Sequence, residues 1–179
     1  MQQNDLWVFG YGSLLWRTGF EYLECRVATL RGFNRSFCLT SIHYRGTSDA
    51  PGLVLALDPD HRGECHGVGF RVAADLAADT MAYLRERELV SSAYIEQTHP
   101  ITFHGGGVAD AVCYVIDQSH EQYAGGLSIE AQAVIIAKAA GSAGPNDEYL
   151  FNTAEHLTEL GISDPELERL VALVHRVAP

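Results

Sequence analysis

Glu64–Val72, ECHGVGFRV, is the stretch from which the rest of the chain can be read. Cys65, Gly67, Gly69 and Arg71 fall on one side of it, and His66, Val68, Phe70 and Val72 on the other. A period of two sends successive side chains to opposite faces of a strand, so this is a half-buried strand with its apolar side clear. The period then changes. From about Ala73 to Leu89 the chain is rich in alanine, leucine, methionine and glutamate, with Leu76, Met81 and Leu84 at near-helical spacing. These are good helix formers with an apolar stripe, and the strand is expected to lead directly into a helix.

Working outward, Leu6–Phe9 and Phe33–Leu39 read as short strands, and Leu53–Leu57, LVLAL, as a third after the breaker pair Pro51 and Gly52. Downstream, Tyr94–Phe103 and Ala111–Ile116 read as strands separated by the turn HGGGVAD, and Ser128–Ala140 as an apolar helix. GSAGPND, Gly141–Asp147, should end that helix and start another, with Asn146 or Asp147 as its cap and Gly161 closing it. Ser163, with Glu166 three residues on, has the pattern of a capping box for a last helix ending near Val177. Strands in a run, one helix among them and helices clustered at the C-terminal end predict an α+β fold with mostly antiparallel strands. Many short strands satisfy their edges best in a small, closed or curved β-barrel-like sheet flanked by helices. A chain of 179 residues without linkers or repeats is expected to form a single domain, 1–179.

Composition narrows the function. Hydrophobic residues make up 47% and charged residues 20%, as in a globular protein. Twelve Lys and Arg against 23 Asp and Glu give a net charge of -11, and no basic stripe could neutralise a run of phosphates, so no nucleic-acid partner is expected. No apolar run approaches the ~20 residues of a membrane span, and MQQNDLWVFGYGS lacks the basic flank and apolar core of a signal peptide. No membrane is expected, and the cytoplasm is the expected compartment. Cys25, Cys38, Cys65 and Cys113 are scattered without a CxxC pair and are expected to be buried free thiols. His61, Cys65 and His66 have no second cluster at ligand spacing, and no bound metal is expected.

Two stretches carry chemistry. In VFGYGSLLW, Val8–Trp16, glycines interrupt an apolar run that would otherwise make a good strand. Gly10 and Gly12 make a GxG, but Leu15 stands where a dinucleotide fingerprint needs its third glycine, and a GK[ST] is missing. The glycines either shape a tight turn or bulge, or open the backbone so that consecutive N–H groups can hold a carboxylate or a developing oxyanion. In AYLRERELV, Ala82–Val90, Glu88 lies four residues after Leu84 and seven after Met81, on the apolar face. Glu86 is roughly 200° from Leu84 around the helix and fits a solvated face. A carboxylate on the buried face must be paired, neutral or functional, and Arg85, Arg87 or another arginine could pair Glu88. GYGSLL is not a GxSxG nucleophile elbow, and no pattern marks a carboxylate pair for glycoside cleavage.

Taken together, the chain resembles the ChaC family of γ-glutamylcyclotransferases, enzymes acting on glutathione. The resemblance rests on WVFGYGSLLW at Trp7–Trp16, RSF at Arg35–Phe37, YRG at Tyr44–Gly46, PGLVLAL at Pro51–Leu57, YLRERE at Tyr83–Glu88 and AAGSAGPNDEYLF at Ala139–Phe151. Where that family commonly reads HRG, this chain has Tyr44, Arg45 and Gly46, with His43 one place earlier. The resemblance implies a γ-glutamylcyclotransferase-like fold and Glu88 as catalytic acid/base. It implies a γ-glutamyl site at Val8, Phe9, Gly10, Tyr11, Gly12, Ser13 and Leu14, centred on the turn from Tyr11 to Leu14, with Tyr149 as a further substrate contact. The implied reaction converts glutathione to 5-oxoproline and Cys-Gly with no cofactor. A cyclotransferase for other γ-glutamyl amines or amino acids, and a non-catalytic γ-glutamyl-binding domain, are the alternatives, and the oligomeric state stays open.

Overall fold

A computed structural model describes residues 4–178; the first three residues of MQQNDLWVFGYGS and the final Pro179 lie outside the described residues. The strands are β1 (Leu6–Gly10), β2 (Glu24–Ser41), β3 (Gly52–Val72), β4 (Tyr94–Phe103), β5 (Val108–Ile116), β6 (Ala140–Gly141) and β7 (Gly144–Pro145). The helices are α1 (Ala77–Glu88), α2 (Ile129–Lys138), α3 (Asn146–Glu159) and α4 (Pro165–Val177), and a 3-10 turn occupies Ser13–Leu15. The chain forms two compact units, one from the residues up to Arg35 with Leu57–Asp117, the other from Ser36–Ala56 with the residues from Gln118 onward.

In the first unit β1, β3, β2, β4 and β5 neighbour one another in that order, and β5 returns to β1 to close a barrel. The β1–β3, β2–β4 and β4–β5 pairings are antiparallel, with single parallel pairings of β5 to β1 and β3. The expected mostly antiparallel barrel is therefore what forms, and closure removes the sheet edges. ECHGVGFRV lies in β3, where Val68, Phe70 and Val72 are buried opposite Gly10, Val8 and Leu6.

Two strand expectations change. Leu53–Leu57 and Glu64–Val72 are the ends of one 21-residue strand, and Phe33–Leu39 is part of an 18-residue strand. The polar middle of β3 reads as a break by composition, yet its groups are satisfied in place: Asp60 accepts from the Asn34 side chain (2.9 Å) and from the Arg62 N–H (3.0 Å). Helix α1 starts later than Ala73 because Leu76 and Ala77 donate three residues back, to the carbonyls of Ala73 and Ala74. That tighter turn precedes regular helix. Leu84 then packs with Val8, Leu14, Val112 and Tyr114, with Met81, Tyr83 and Leu89 at the margin.

In the second unit α2, α3 and α4 pack on one another around Ile136, Leu150, Leu157, Leu170 and Val174. Gly161, at φ +70°, closes α3 as expected: its N–H reaches Thr158 O, and that of Ile162 reaches Leu157 O, which is the Schellman arrangement. The N-terminal caps differ from expectation. Pro145 precedes α3 and Asn146 is its first residue, its side chain engaged elsewhere; Asp164, not Ser163, caps α4 by accepting from Leu167 N (3.0 Å). Pro165 at the first helical position has no N–H to cap, which favours a start one residue later than the Ser163–Glu166 pattern indicates.

Candidate active site

The first unit gathers the opening turn and the last turn of α1. Strand β1 delivers Val8 and Phe9 into the core with 1% exposure or less, so these two side chains pack and only their backbone lies along the approach to the turn. Gly10 has a packing reason to be glycine: a Cβ there would stand 2.7 Å from Cε2 of Phe70. Tyr11 is buried and donates its hydroxyl to Tyr114 O (3.1 Å), while Arg35 donates from Nε to Tyr11 O (2.7 Å) and from Nη2 to His66 O. Gly12 leads into the 3-10 turn, where Leu15 N–H reaches Gly12 O, Leu14 is buried, and Ser13 is half-buried. RSF thus contributes an arginine that holds the turn's backbone from the side of β2.

Glu88 is the last residue of α1, and its side chain keeps 15% exposure. Arg87 pairs it, with Nε 3.1 Å from Oε1. The same guanidinium donates from Nη2 to Ser13 Oγ (2.8 Å) and from Nη1 to Tyr83 OH (3.1 Å), Thr18 O (3.3 Å) and Arg17 O. The turn and the acid therefore sit on opposite sides of one side chain. Arg85, the other sequence candidate, is taken by Glu96 through two bonds of 2.9 and 2.8 Å. Glu86 belongs to the outward face, as its helical angle requires.

The electrostatics separate the two acids. Burial holds the Glu88 carboxyl above its ordinary value, and the charge and hydrogen bond of Arg87 only partly oppose this. Glu96 is held below its ordinary value, chiefly by its hydrogen bond to Arg85. Tyr114, opposite Glu96 across the β4–β5 ladder, donates to Glu96 Oε2 (3.2 Å). Its phenol is pushed well up, first by burial, then by the charge and hydrogen bond of Glu96 and the charge of Glu88. A half-buried carboxyl of raised proton affinity beside a turn with backbone N–H groups can take up and return a proton at a reacting carbonyl centre.

Three features were not foreseen from sequence: the Arg87 bridge to Ser13, the Arg35 bond to Tyr11 O, and the Arg85–Glu96–Tyr114 chain. All are contacts between residues 11 to 74 positions apart, beyond any local spacing rule.

Tyr149 lies in the second unit. It is buried, accepts Leu55 N–H on its hydroxyl (3.2 Å), and packs its ring 5.9 Å from that of Phe37 and 5.7 Å from the Arg45 guanidinium. Asn146 beside it is fully buried and pairs with Leu53 like a neighbouring strand, accepting its N–H (2.8 Å) and donating to its carbonyl (2.7 Å). Arg45 is buried, donating to Pro145 O (2.8 Å) with Glu148 at 3.8 Å; His43 and Tyr44 are exposed and contribute carbonyls that accept from Ser142 and Ala143. Gly46 is needed because a Cβ would stand 2.1 Å from Gly52 N.

The remaining sequence candidates are accounted for. His66 Nδ1 lies 2.8 Å from Thr29 Oγ1, shared with His104 Nε2 at 3.0 Å, and His61 lies 3.9 Å from Asp60. Among the described residues no group of three or more His, Cys, Asp or Glu converges as metal ligands, and no helix is long and apolar enough to cross a membrane. Cys38, Cys65 and Cys113 are buried, but Cys25, near the start of β2, is exposed, against expectation, because its place in the alternation faces outward.

The family model described as ChaC-like protein matches residues 6–177. The chain is 31% identical to the glutathione-specific gamma-glutamylcyclotransferase of Escherichia coli (strain K12), covering 98% of this chain and 75% of that protein. It is 35% identical to the glutathione-specific gamma-glutamylcyclotransferase 1 of Homo sapiens, covering 96% and 78%. A solved structure of a yeast gamma-glutamylcyclotransferase specific to glutathione superposes with a TM-score of 0.89 over 98% of this chain and 97% of that one, at 22% identity, and shares the fold. The chain belongs to the ChaC-like protein family.

Proposed function

We propose that this chain is a γ-glutamylcyclotransferase that cleaves glutathione to 5-oxoproline and Cys-Gly, with Glu88 as general base and then general acid. The observation that carries the reading is the placement of a half-buried Glu88, its proton affinity raised by burial, one guanidinium away from the Ser13 turn. Family membership and relatives named glutathione-specific gamma-glutamylcyclotransferase supply the substrate. One family model over residues 6–177, and two strands that run on from one compact unit into the other, support treating 1–179 as one domain.

The substrate brings its own nucleophile. Its α-amine attacks the γ-carbonyl carbon, a five-membered ring closes, and the bond to the cysteinyl nitrogen of Cys-Gly breaks. The amine is protonated near neutral pH, so the Glu88 carboxylate first accepts its proton and then returns it to the departing nitrogen. Backbone N–H groups of the turn from Gly10 to Leu14 are suited to the substrate α-carboxylate or to the oxygen that gains charge in the tetrahedral intermediate. Val8 and Phe9 serve through backbone and packing, and Tyr149 is a further proposed contact. Proton transfer and ring closure here need neither redox change nor cofactor.

The test is production of 5-oxoproline from glutathione by the wild type and Glu88→Gln. An amide cannot take the proton, so turnover should fall by about 10²–10⁴-fold with the fold intact. Near-wild-type turnover by folded Glu88→Gln would overturn the mechanism. A relative of Arabidopsis thaliana named Gamma-glutamylcyclotransferase 2-3, 33% identical over 96% of this chain, has no substrate in its name. Other γ-glutamyl amines therefore belong in the same assay, and product from one of them but not from glutathione would move the substrate while keeping the chemistry.

A further inference from the structure

Arg87 precedes Glu88 on the same helix, and neighbouring helical residues do not normally face each other. Here they meet because Glu88 ends α1 and the Arg87 side chain, 18% exposed, runs back along the helix end toward the opening turn. Its donors are largely committed to the protein: Nε to Glu88, Nη2 to Ser13 Oγ, and Nη1 among Tyr83 OH, Thr18 O and Arg17 O. A guanidinium spread over a carboxylate, two hydroxyls and two carbonyls has little left for a substrate carboxylate. It also bonds both to the proposed acid/base and to Ser13 of the proposed γ-glutamyl turn.

We propose that Arg87 is a positioning residue of the cyclotransferase site, fixing the Glu88 carboxylate against the Ser13 turn and setting the pH at which Glu88 becomes a base; this rests on the function proposed above. The planar fork is required. A lysine is a point charge whose three donors cannot span the carboxylate, Ser13 and the two carbonyls together. Burial alone would leave Glu88 protonated to a higher pH, and Arg87 is the cation that opposes it. The other charged or titratable groups around the acid are Tyr83 on α1, Tyr114 on β5, and the Glu96–Arg85 pair next to Tyr114. Tyr114 is neutral through the working range and Glu96 is already neutralised by Arg85, so Arg87 is the dominant lever.

The test compares wild type, Arg87→Lys, Arg87→Gln and Glu88→Gln on glutathione across pH, with melting temperatures. In Arg87→Gln kcat should fall by about a hundredfold, the size of effect expected from misplacing a catalytic group by about 1 Å. KM should change little, and the acid limb of kcat/KM should move to higher pH. Arg87→Lys should keep the limb nearer its wild-type position while losing much of kcat, because it restores charge without the fork. Loss expressed wholly as a raised KM would make Arg87 a substrate anchor and overturn the proposal. So would an unshifted acid limb in folded Arg87→Gln, which is the signature of a purely structural role. If Arg87→Gln does not fold, Arg87→Lys is read by the same kcat and KM criteria. Titration of the Glu88 carboxyl by carbon-13 NMR, in wild type, Arg87→Lys and Arg87→Gln, reads the proton affinity without turnover. A raised midpoint in the glutamine variant, with the lysine variant closer to wild type, supports the proposal, and an unchanged one in the glutamine variant counts against it. Activity retained by Glu88→Gln would instead remove the functional reading, so the two failures are distinct.

Discussion

The opening turn with the end of α1, and the loop that leads into α3, are two polar clusters in otherwise apolar surroundings, and they are finished differently. Around α3 the accounts close: Asn146 meets both the N–H and the carbonyl of Leu53, Tyr149 accepts from Leu55, and Arg45 meets Pro145 O. Around Glu88 they close only in part, because a single arginine does not offset the burial of the carboxylate. Both clusters lie within stretches that carry the family resemblance. A sequence motif can therefore mark backbone groups that must be satisfied as readily as chemistry that must be left unsatisfied. Partners tell the two apart: the side chains around α3 bond to main chain, whereas the Glu88 carboxylate meets one guanidinium and is held above its ordinary proton affinity by burial.

The largest effect that sharpens this contrast is expected at Asn146. Asn146→Ala leaves the Leu53 N–H and carbonyl buried without partners, at about 1–3 kcal/mol for each unmade bond, so roughly 3 kcal/mol of stability should be lost. Urea unfolding measures it. Asn146→Asp should recover little of the loss, since a carboxylate can accept from Leu53 N–H but repels the carbonyl it faces. A loss below about 0.5 kcal/mol would place Asn146 with the surface substitutions and dissolve the comparison from the α3 side.

Tyr149 stands between the two descriptions. Tyr149→Phe keeps the ring against Phe37 and removes the acceptor of Leu55 N–H, for an expected loss of about 1 kcal/mol. As a proposed substrate contact it should also raise KM for glutathione several-fold. Lower stability with unchanged KM would assign Tyr149 wholly to the support of β3.

These clusters also show what was legible in the sequence. The strand-to-helix step at Val72, the bounds of β4, and Glu88 on the inner face of α1 follow from local periodicity, which is a property of neighbouring residues. The unbroken courses of β2 and β3 were hidden, because only their apolar segments carry a strand pattern, and the polar residues between find partners distant in sequence, as Asn34 finds Asp60. The expectation of Asn146 or Asp147 as a cap misses the role of Asn146 for the same reason. Its residue type suits a cap, but its partner is Leu53, 93 residues away. At the site the acid was visible and its company was not: nothing local distinguishes Arg87 from Arg85, and only the fold sends one to Glu88 and Ser13 and the other to Glu96.

The smallest effect separates the clusters by sign. The folded protein holds Glu88 above the ordinary carboxyl value, whereas the unfolded chain titrates at that ordinary value. Between the two values the folded state keeps a proton that the unfolded state has released, so stability falls as pH rises through that window and levels off above it. Glu88→Gln removes this titration. Its stability relative to wild type should therefore increase from about pH 4.5 upward. It should reach a plateau once the folded carboxyl has titrated. Urea unfolding of both proteins at several pH values gives the difference directly. A difference that stays flat with pH would mean that Arg87 fully offsets the burial, and that the acid is as completely satisfied as Asn146. A rising difference, beside lost turnover, would show one carboxylate held at a cost to the fold for the sake of its proton.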